Sequence, residues 1–586
     1  MPFPTPLRDG LPGMIRLPKV RYYHSLSALS AVALLIVSSG CQTAPPPVSM
    51  DQPSQRDIAS SANKQFLSQA SYDPWVLSST DQSNPISGYM ATSGVGYLIG
   101  PDGKVVHKIS GQKYVGNSYA AQSPDSPADD PLAIGAGGPY KQQLNLYKGQ
   151  FTTTLPSGTL QSPSAAVEVN WPSLWDKSDL KIDGDPQAQQ VIHANLFYLI
   201  SSVAAGKDRS VAPMGLSSVV YNGHIFWDAD VWMLPALIAQ YPEYAKSIVD
   251  YRFQRLAQAQ KNAGEHHFAG AEYPWESAET GEEVAPAEFA RERHITADVA
   301  FAAWQYYLWT GDKSYLKTEG WPILKATADY WLSRVERSHD GSYHVLQVLS
   351  PDETTGLVDD DAYTNSAVRY NLNAATEASK ELGLPPNPTW QSVSAGMTIP
   401  FDKKLGIPAE NSTPLTDRFQ AKQADTLLEI FPMDQHYSPE IEEKTLNFYA
   451  AHTMAAGPAM TSCIASVVAA RLGRGAQSLS AFRDSYQPFM RAPWDAFSEK
   501  RTTNNCYFLT GMAGSLQSVL YGFAGLQTAY GSEQASGKLI AKDGNVRLYA
   551  DPHLPPGWNA ITLVGVKFHG KTMTVHIGTG NSVSVT

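Results

Sequence analysis

The chain has 586 residues, 43% of them hydrophobic and 17% charged, which is ample material for a packed interior and excludes a mostly disordered chain. Lys and Arg total 44 against 55 Asp and Glu, a net charge of −11, so no basic footprint for nucleic acid exists. Three cysteines exclude a disulfide scaffold.

In chain order the first signal is an address. Arg16, Lys19 and Arg21 precede an apolar run at 26–37, then Ser38, Ser39, Gly40 and Cys41. A positive segment, a short apolar core and small residues make an export signal, and the run is too short for a comfortable membrane span. Cys41 after small residues is similar to the lipobox of bacterial lipoproteins, although Ser38 stands where such boxes usually carry Leu. The resemblance implies lipidation at Cys41 and a periplasmic or cell-surface lipoprotein, expected at the outer membrane and touching it through the lipid anchor only. The other reading is an ordinary secretory signal beside a chance cysteine. Both export the chain, and Met14 is an alternative start to Met1. Residues 1–41 are read as this signal and 42–62, rich in Ser, Gln, Pro and Asp, as a solvated tether.

From 63 to 185, short β-branched or aromatic runs at 88–99, 104–109 and 143–154, separated by Gly, Pro, Asp and Asn, predict strands and turns. From 186 to 535 the period changes. Apolar residues at helical spacing predict helices at 187–205, 244–263, 295–309, 321–337, 362–382, 459–472 and 508–530. Cys463 and Cys506 lie in apolar surroundings there, as buried free thiols or as a disulfide. From 536 to 586 alternation returns, with strands expected at 546–548, 561–564, 566–569 and 573–577 and a rigid turn at 554–558. The architecture is therefore β, a large helical core, then a small β appendage.

The loops of the helical core hold most of the chemistry. Four of them pair acids with aromatic residues: 223–230, 273–277, 350–365 and 497–514. Any one acid reads equally as a helix cap, and capping is the favoured reading for 359–361 before the helix at 362. Four such loops together suit cleavage of a glycosidic bond, which needs one protonated and one ionised carboxyl group beside a wall that holds sugar. His224, His266, His267 and His294 are scattered and HExxH is absent, so no metal or other cofactor is expected. GxSxG is absent as well.

At these loops the sequence resembles glycoside hydrolase family 65, in its acid trehalase, kojibiose hydrolase and glucosylgalactosyl-hydroxylysine glucosidase branch. The matching text is GHIFWDADVWMLP from Gly223, YPWES from Tyr273, HITADVA from His294, SPDETTGLVDDDAYTN from Ser350, KQAD from Lys422, GPAMT from Gly457 and FLTGMAGSLQ from Phe508. The resemblance implies a mainly α fold, an (α/α)6 barrel between a shortened N-terminal β-sandwich-like domain and a small C-terminal β domain. It implies inversion at the anomeric carbon. Glu353 in the PDE text is then the general acid, holding a proton for the departing oxygen. Trp227, Asp228, Trp275, Glu276, Lys422 and Gln423 should line the subsite for the non-reducing glucose; a surface salt bridge between Lys422 and Asp425 is the plainer reading of that segment.

The second group divides the family. Phosphorylases cradle phosphate with a His just before the small-residue stretch, and here that position is Phe508. Hydrolases carry an upstream Glu, here Glu499, which would take a proton from water, with the two carboxyl groups about 6.5–9.5 Å apart. The expectation is an exo-acting α-glucoside hydrolase that uses water as nucleophile and releases β-glucose from kojibiose-type α-1,2 linkages or trehalose. The alternatives are a phosphorylase of the same fold and a non-catalytic sugar-binding lipoprotein. Aglycone, linkage and oligomeric state are not legible in the chain.

Overall fold

The structure, a computed structural model, describes residues 55–92, 94–110, 131–163, 169–203, 209–416, 418–533 and 535–586. The export signal, Cys41 and most of the expected tether lie outside these residues. The tether reading is corrected at its end: Gln55–Leu67 is a helix. Ala59, Ala62 and Phe66 bury one face of it at helical spacing, which the polar composition around them conceals. Asn63 Nδ2 pins the helix to the carbonyls of Gln487 (2.5 Å) and Met490 (3.2 Å).

Two antiparallel sheets follow. One has five strands in the order Val76–Ser79, Lys141–Asn145, Gln150–Leu155, Gly158–Ser162 and Leu132–Gly135. The other has Gly88–Thr92, Val95–Ile99 and Val105–Ser110 in sequential order. Gln142 Nε2 donates to the Gly100 carbonyl at 2.7 Å and joins the two.

The rest is mainly helical. Pro186–Ser202 begins where Asp185 accepts from the Ala188 amide at 3.0 Å, with proline supplying the first-turn φ. Asp361 caps Ala362–Glu381 by accepting from the Thr364 amide at 2.7 Å, the role expected of 359–361. Ile295–Thr310, Trp321–Arg334 and Ser462–Arg471 form close to their predicted bounds. Pro388–Gly396, Pro439–His452 and Gly475–Tyr486 are helices that periodicity did not expose.

Two expected helices are corrected. The segment 244–263 divides at Arg255 into Pro242–Gln254 and Leu256–Glu265. The segment 508–530 is helical only to Phe523. Gly525 then takes φ 61°, open to glycine at little cost, and turns the chain into the strand Leu526–Tyr530, which pairs with Val546–Ala550. The last strands thus begin before residue 536.

The C-terminal sheet also reaches backward. Its order is Ser582–Val585, Lys571–Gly578, Ala560–Phe568 and Asp179–Asp183. The last of these belongs in sequence to the segment 63–185, yet its buried Leu180 and Ile182 complete the later sheet. Cys463 and Cys506 are free, and burial pushes both thiols up to about 12. Among the described residues no helix is long and apolar enough to cross a membrane.

Candidate active site

The turn that carries Glu353 is stitched to the segment 422–425. Asp352 Oδ1 accepts from the Lys422 amide (3.0 Å) and the Thr354 hydroxyl (2.8 Å), and Gln423 Nε2 donates to the Pro351 carbonyl (2.6 Å). Lys422 Nζ then reaches the Glu353 carboxylate as an ion pair, both side chains about one-fifth exposed (20% and 21%). The surface pair with Asp425 does not form. Asp425 is buried, and burial together with Asp361, Glu410 and Asp352 pushes its carboxyl well above the ordinary range. Gln423 is spent on the backbone of the acid turn and supports it from below.

Glu499 lies in the loop after the hairpin of Met490–Arg491 and Ala496–Phe497, and it is 8% exposed. Its Oε1 accepts from the Tyr221 hydroxyl at 3.1 Å and its Oε2 from Asn505 Nδ2 at 2.5 Å. Burial raises its proton affinity, while Lys500, Tyr221, Lys422 and Asn505 pull the other way. Tyr221, Asn222 and Gly223 all take positive φ (60°, 52° and 67°). A tyrosine held there is strained, and the turn aims its hydroxyl across to Glu499. Beneath the loop, buried Arg491 donates to the carbonyls of Lys500 (3.1 Å), Arg501 (2.9 Å) and Thr503 (2.8 Å).

The third group comes from 223–235 and 273–277. Asp228 opens a π-helical turn, Asp228–Met233, and accepts from the Thr510 hydroxyl at 2.5 Å. Burial pushes its carboxyl up to about 7, with Glu499 and Asp230 adding to the effect against Thr510. Asp230 is structural, held by Arg252 Nε (3.1 Å) and Nη2 (2.5 Å). Glu276 is buried and bonded to His224 Nδ1 at 2.7 Å. Trp227 and Trp275 are 2% and 6% exposed. They stand edge-on to His294, with ring centroids 4.9 and 5.3 Å away, so they offer a sugar little open face.

These parts converge. Burial disfavours the charge on Lys422, yet Glu353, Glu292 and Glu499 outweigh it and raise its pKa, so the lysine lies within electrostatic reach of both predicted glutamates. Asp228 in turn feels Glu499. Sequence reasoning missed Tyr221, Asn505, Thr510 and Glu292. Only Tyr221 had a local signal: Tyr-Asn-Gly is a sequence for left-handed backbone. In the sequence His294 reads as one of the scattered histidines and as the start of the HITADVA text. It is clasped by Asp298 (2.7 Å) and Glu292 (3.3 Å), which overcome burial and push it up to about 9. Among the described residues no three His, Cys, Asp or Glu side chains form a group that could hold a metal ion.

The family model described as the glycosyl hydrolase family 65 central catalytic domain matches residues 193–417 and 409–517, more than half of the chain and all seven sequence blocks. The chain belongs to glycoside hydrolase family 65. This family 65 protein is 41% identical over 415 residues to a kojibiose hydrolase of Mucilaginibacter mallensis, across 69% of its own length and 58% of that relative. It is 33% identical over 442 residues to a protein-glucosylgalactosylhydroxylysine glucosidase of Gallus gallus, across 72% and 59% of the two chains. It thus spans less than two thirds of these relatives. Its fold is similar to a solved structure from the human microbiome that bears the name of a kojibiose phosphorylase, with a TM-score of 0.66 at 16% identity over 88% of this chain and 95% of that one.

Proposed function

We propose that this family 65 protein is an inverting, exo-acting α-glucoside hydrolase that releases β-glucose from an α-linked gluco-disaccharide or a glucosyl-galactose unit, with kojibiose-type α-1,2 linkages or trehalose favoured. The observation that carries the reading is one lysine, Lys422, paired with Glu353 and within electrostatic reach of a buried Glu499. Glu353 gives a proton to the glycosidic oxygen as the bond to the anomeric carbon breaks. Glu499 takes a proton from the water whose oxygen bonds to that carbon from the opposite face. Lys422 turns from Glu353 to a sugar hydroxyl when substrate enters, which frees Glu353 to hold its proton. Asp228 and Glu276 accept from further hydroxyls.

Phe508 argues against a phosphorylase. It is buried at the start of Leu509–Gln517, its amide bonded to the Phe497 carbonyl at 2.7 Å, and its ring has no donor for phosphate. The scaffold fits an (α/α)6 barrel. Deeply buried helices such as Ile295–Thr310 and Ala362–Glu381 alternate with half-buried ones such as Trp321–Arg334 and Pro439–His452, as inner and outer rings would. Leu509–Gln517 packs on Pro186–Ser202 and would close the ring. The two sheets before it would be the shortened sandwich-like domain. Export and a lipid anchor at Cys41 rest on residues 1–41 alone.

The test is incubation with kojibiose, trehalose, nigerose and maltose, with and without phosphate, watched by proton NMR. β-Glucose appearing first, without phosphate, is expected. A phosphate requirement with β-glucose 1-phosphate as product overturns the hydrolase, and tight saturable heat without glucose release makes the protein a binder. EDTA should leave the rate unchanged.

A further inference from the structure

Glu499 is held by two neutral donors, and one of them is itself held in a single orientation. Asn505 Nδ2 bonds Glu499 Oε2 at 2.5 Å. The other end of the same amide, Oδ1, accepts from the Thr503 hydroxyl, and Ser498 Oγ lies 3.2 Å from it. Ser498 Oγ also donates to the Thr503 carbonyl at 2.7 Å, and Arg491 Nη2 donates to that same carbonyl at 2.8 Å. Arg491 Nε fixes Asn504 Oδ1 at 3.1 Å. A flipped Asn505 amide would set its oxygen against a carboxylate and leave the Thr503 hydroxyl the longer 3.3 Å contact with Ser498 Oγ.

We propose that Asn505, locked by Thr503 and by the Arg491-clamped turn, is a positioning residue that keeps the Glu499 carboxylate ionised and fixed in rotation for attack by water. The inference rests on Glu499 being the general base. A hydrogen bond donated to each carboxylate oxygen favours the charged form and opposes the burial of the group, beside the charges of Lys500 and Lys422 that act in the same direction and the neighbouring Asp228 that acts against it. Anchoring both oxygens also stops rotation about the Cγ–Cδ bond, so the base meets water in one geometry. Asn505 exchanges no proton. In each turnover water loses one to Glu499, and the proton of Glu353 leaves with the aglycone.

The experiment is the pH dependence of kcat and KM for Asn505→Ala, Asn505→Asp and Thr503→Val, with a thermal melt of each. Loss of a hydrogen bond to a charged group should lower kcat of Asn505→Ala about 10–100-fold. KM should stay within about twofold, and the acidic limb of the kcat profile should move up by about one pH unit. Asn505→Asp should move that limb further, because two adjacent carboxyl groups must share a proton. Thr503→Val should give a smaller shift in the same direction, and it keeps the test alive if the Asn505 variants do not fold. A kcat unchanged from wild type, or a loss accompanied by a lower melting temperature and an unmoved limb, overturns the inference. Glu499→Gln separates the two levels: if it stays active the hydrolase reading fails, and if it is inactive while Asn505→Ala behaves as wild type only this inference fails.

Discussion

The two sides of the candidate site are built on opposite terms. Around Glu353 the structure uses charge: Lys422 is its ion-pair partner, Glu292 stands in reach, and a buried group of carboxyls, Asp352, Asp361, Glu410 and Asp425, lies behind the turn. Around Glu499 the direct hydrogen bonds come from neutral donors, Tyr221 and Asn505, while Lys500 and Lys422 act on it through space, and the carboxyl is nearly closed to water. The difference matches the two tasks proposed. A group that hands a proton to a changing aglycone gains from a mobile cation and some exposure. A group that must stay ionised while buried gains from fixed dipoles, which stabilise its charge without moving in the reaction.

The sharpest way to break this comparison is a leaving group that needs no proton. Glu353→Gln and Glu499→Gln should each lose about 10²–10⁴-fold in kcat on a disaccharide. On α-glucosyl fluoride the first should recover most of its rate and the second should not, read as fluoride release. Equal recovery would mean that the two sides are not specialised. Next in size is Lys422→Met, expected to lower kcat/KM about 100-fold, about the size of a lost hydrogen bond to a charged group, again by steady-state kinetics. Tyr221→Phe should cost about tenfold in kcat and move the acidic limb upward, because one of two donors to Glu499 is gone.

The smallest effect concerns stability on the base side. Asp495 is buried in the turn between Met490–Arg491 and Ala496–Phe497, bonded to Gln190 at 2.8 Å, and burial pushes it from 3.8 up to about 7. The folded chain therefore binds this proton more tightly than the unfolded chain. Stability from this group is full below pH 3.8 and falls as pH rises to about 7, by about 4 kcal/mol at most. Asp495→Asn keeps the shape and the left-handed φ of 47°. Urea midpoints at pH 5 and pH 8 should therefore differ less in the variant than in the wild type.

The acid side was the more legible in sequence. Glu353 and Lys422 sit in two compact stretches of text, and bonds from the Lys422 amide to the Asp352 carboxylate and from Gln423 to the Pro351 carbonyl bring the stretches together. The base side was half legible. Glu499 could be named, but its donor Tyr221 lies far away in the chain, and Asn505 reads locally as one more turn asparagine. The tryptophans show the limit of residue type: Trp227 and Trp275 fit a sugar platform on paper, yet both are nearly buried and stand edge-on to His294. Composition misled at 55–62, where Ser, Gln and Asp hide a buried Ala59–Ala62–Phe66 stripe.

The strand Asp179–Asp183 carries a consequence for how the molecule can be cut. Its hydrogen-bonding edge waits for Ala560–Phe568, made long after it, and that partner also grips the intervening helices through Lys567 to Ala239 (2.8 Å) and His569 to Trp309 (3.2 Å). The chain is buckled at this sheet. A fragment ending near residue 535 would leave an open edge and an uncovered apolar face, so the helical body cannot be excised as a free-standing unit. Sheet closure must also come last during synthesis, after nearly the whole polypeptide has emerged.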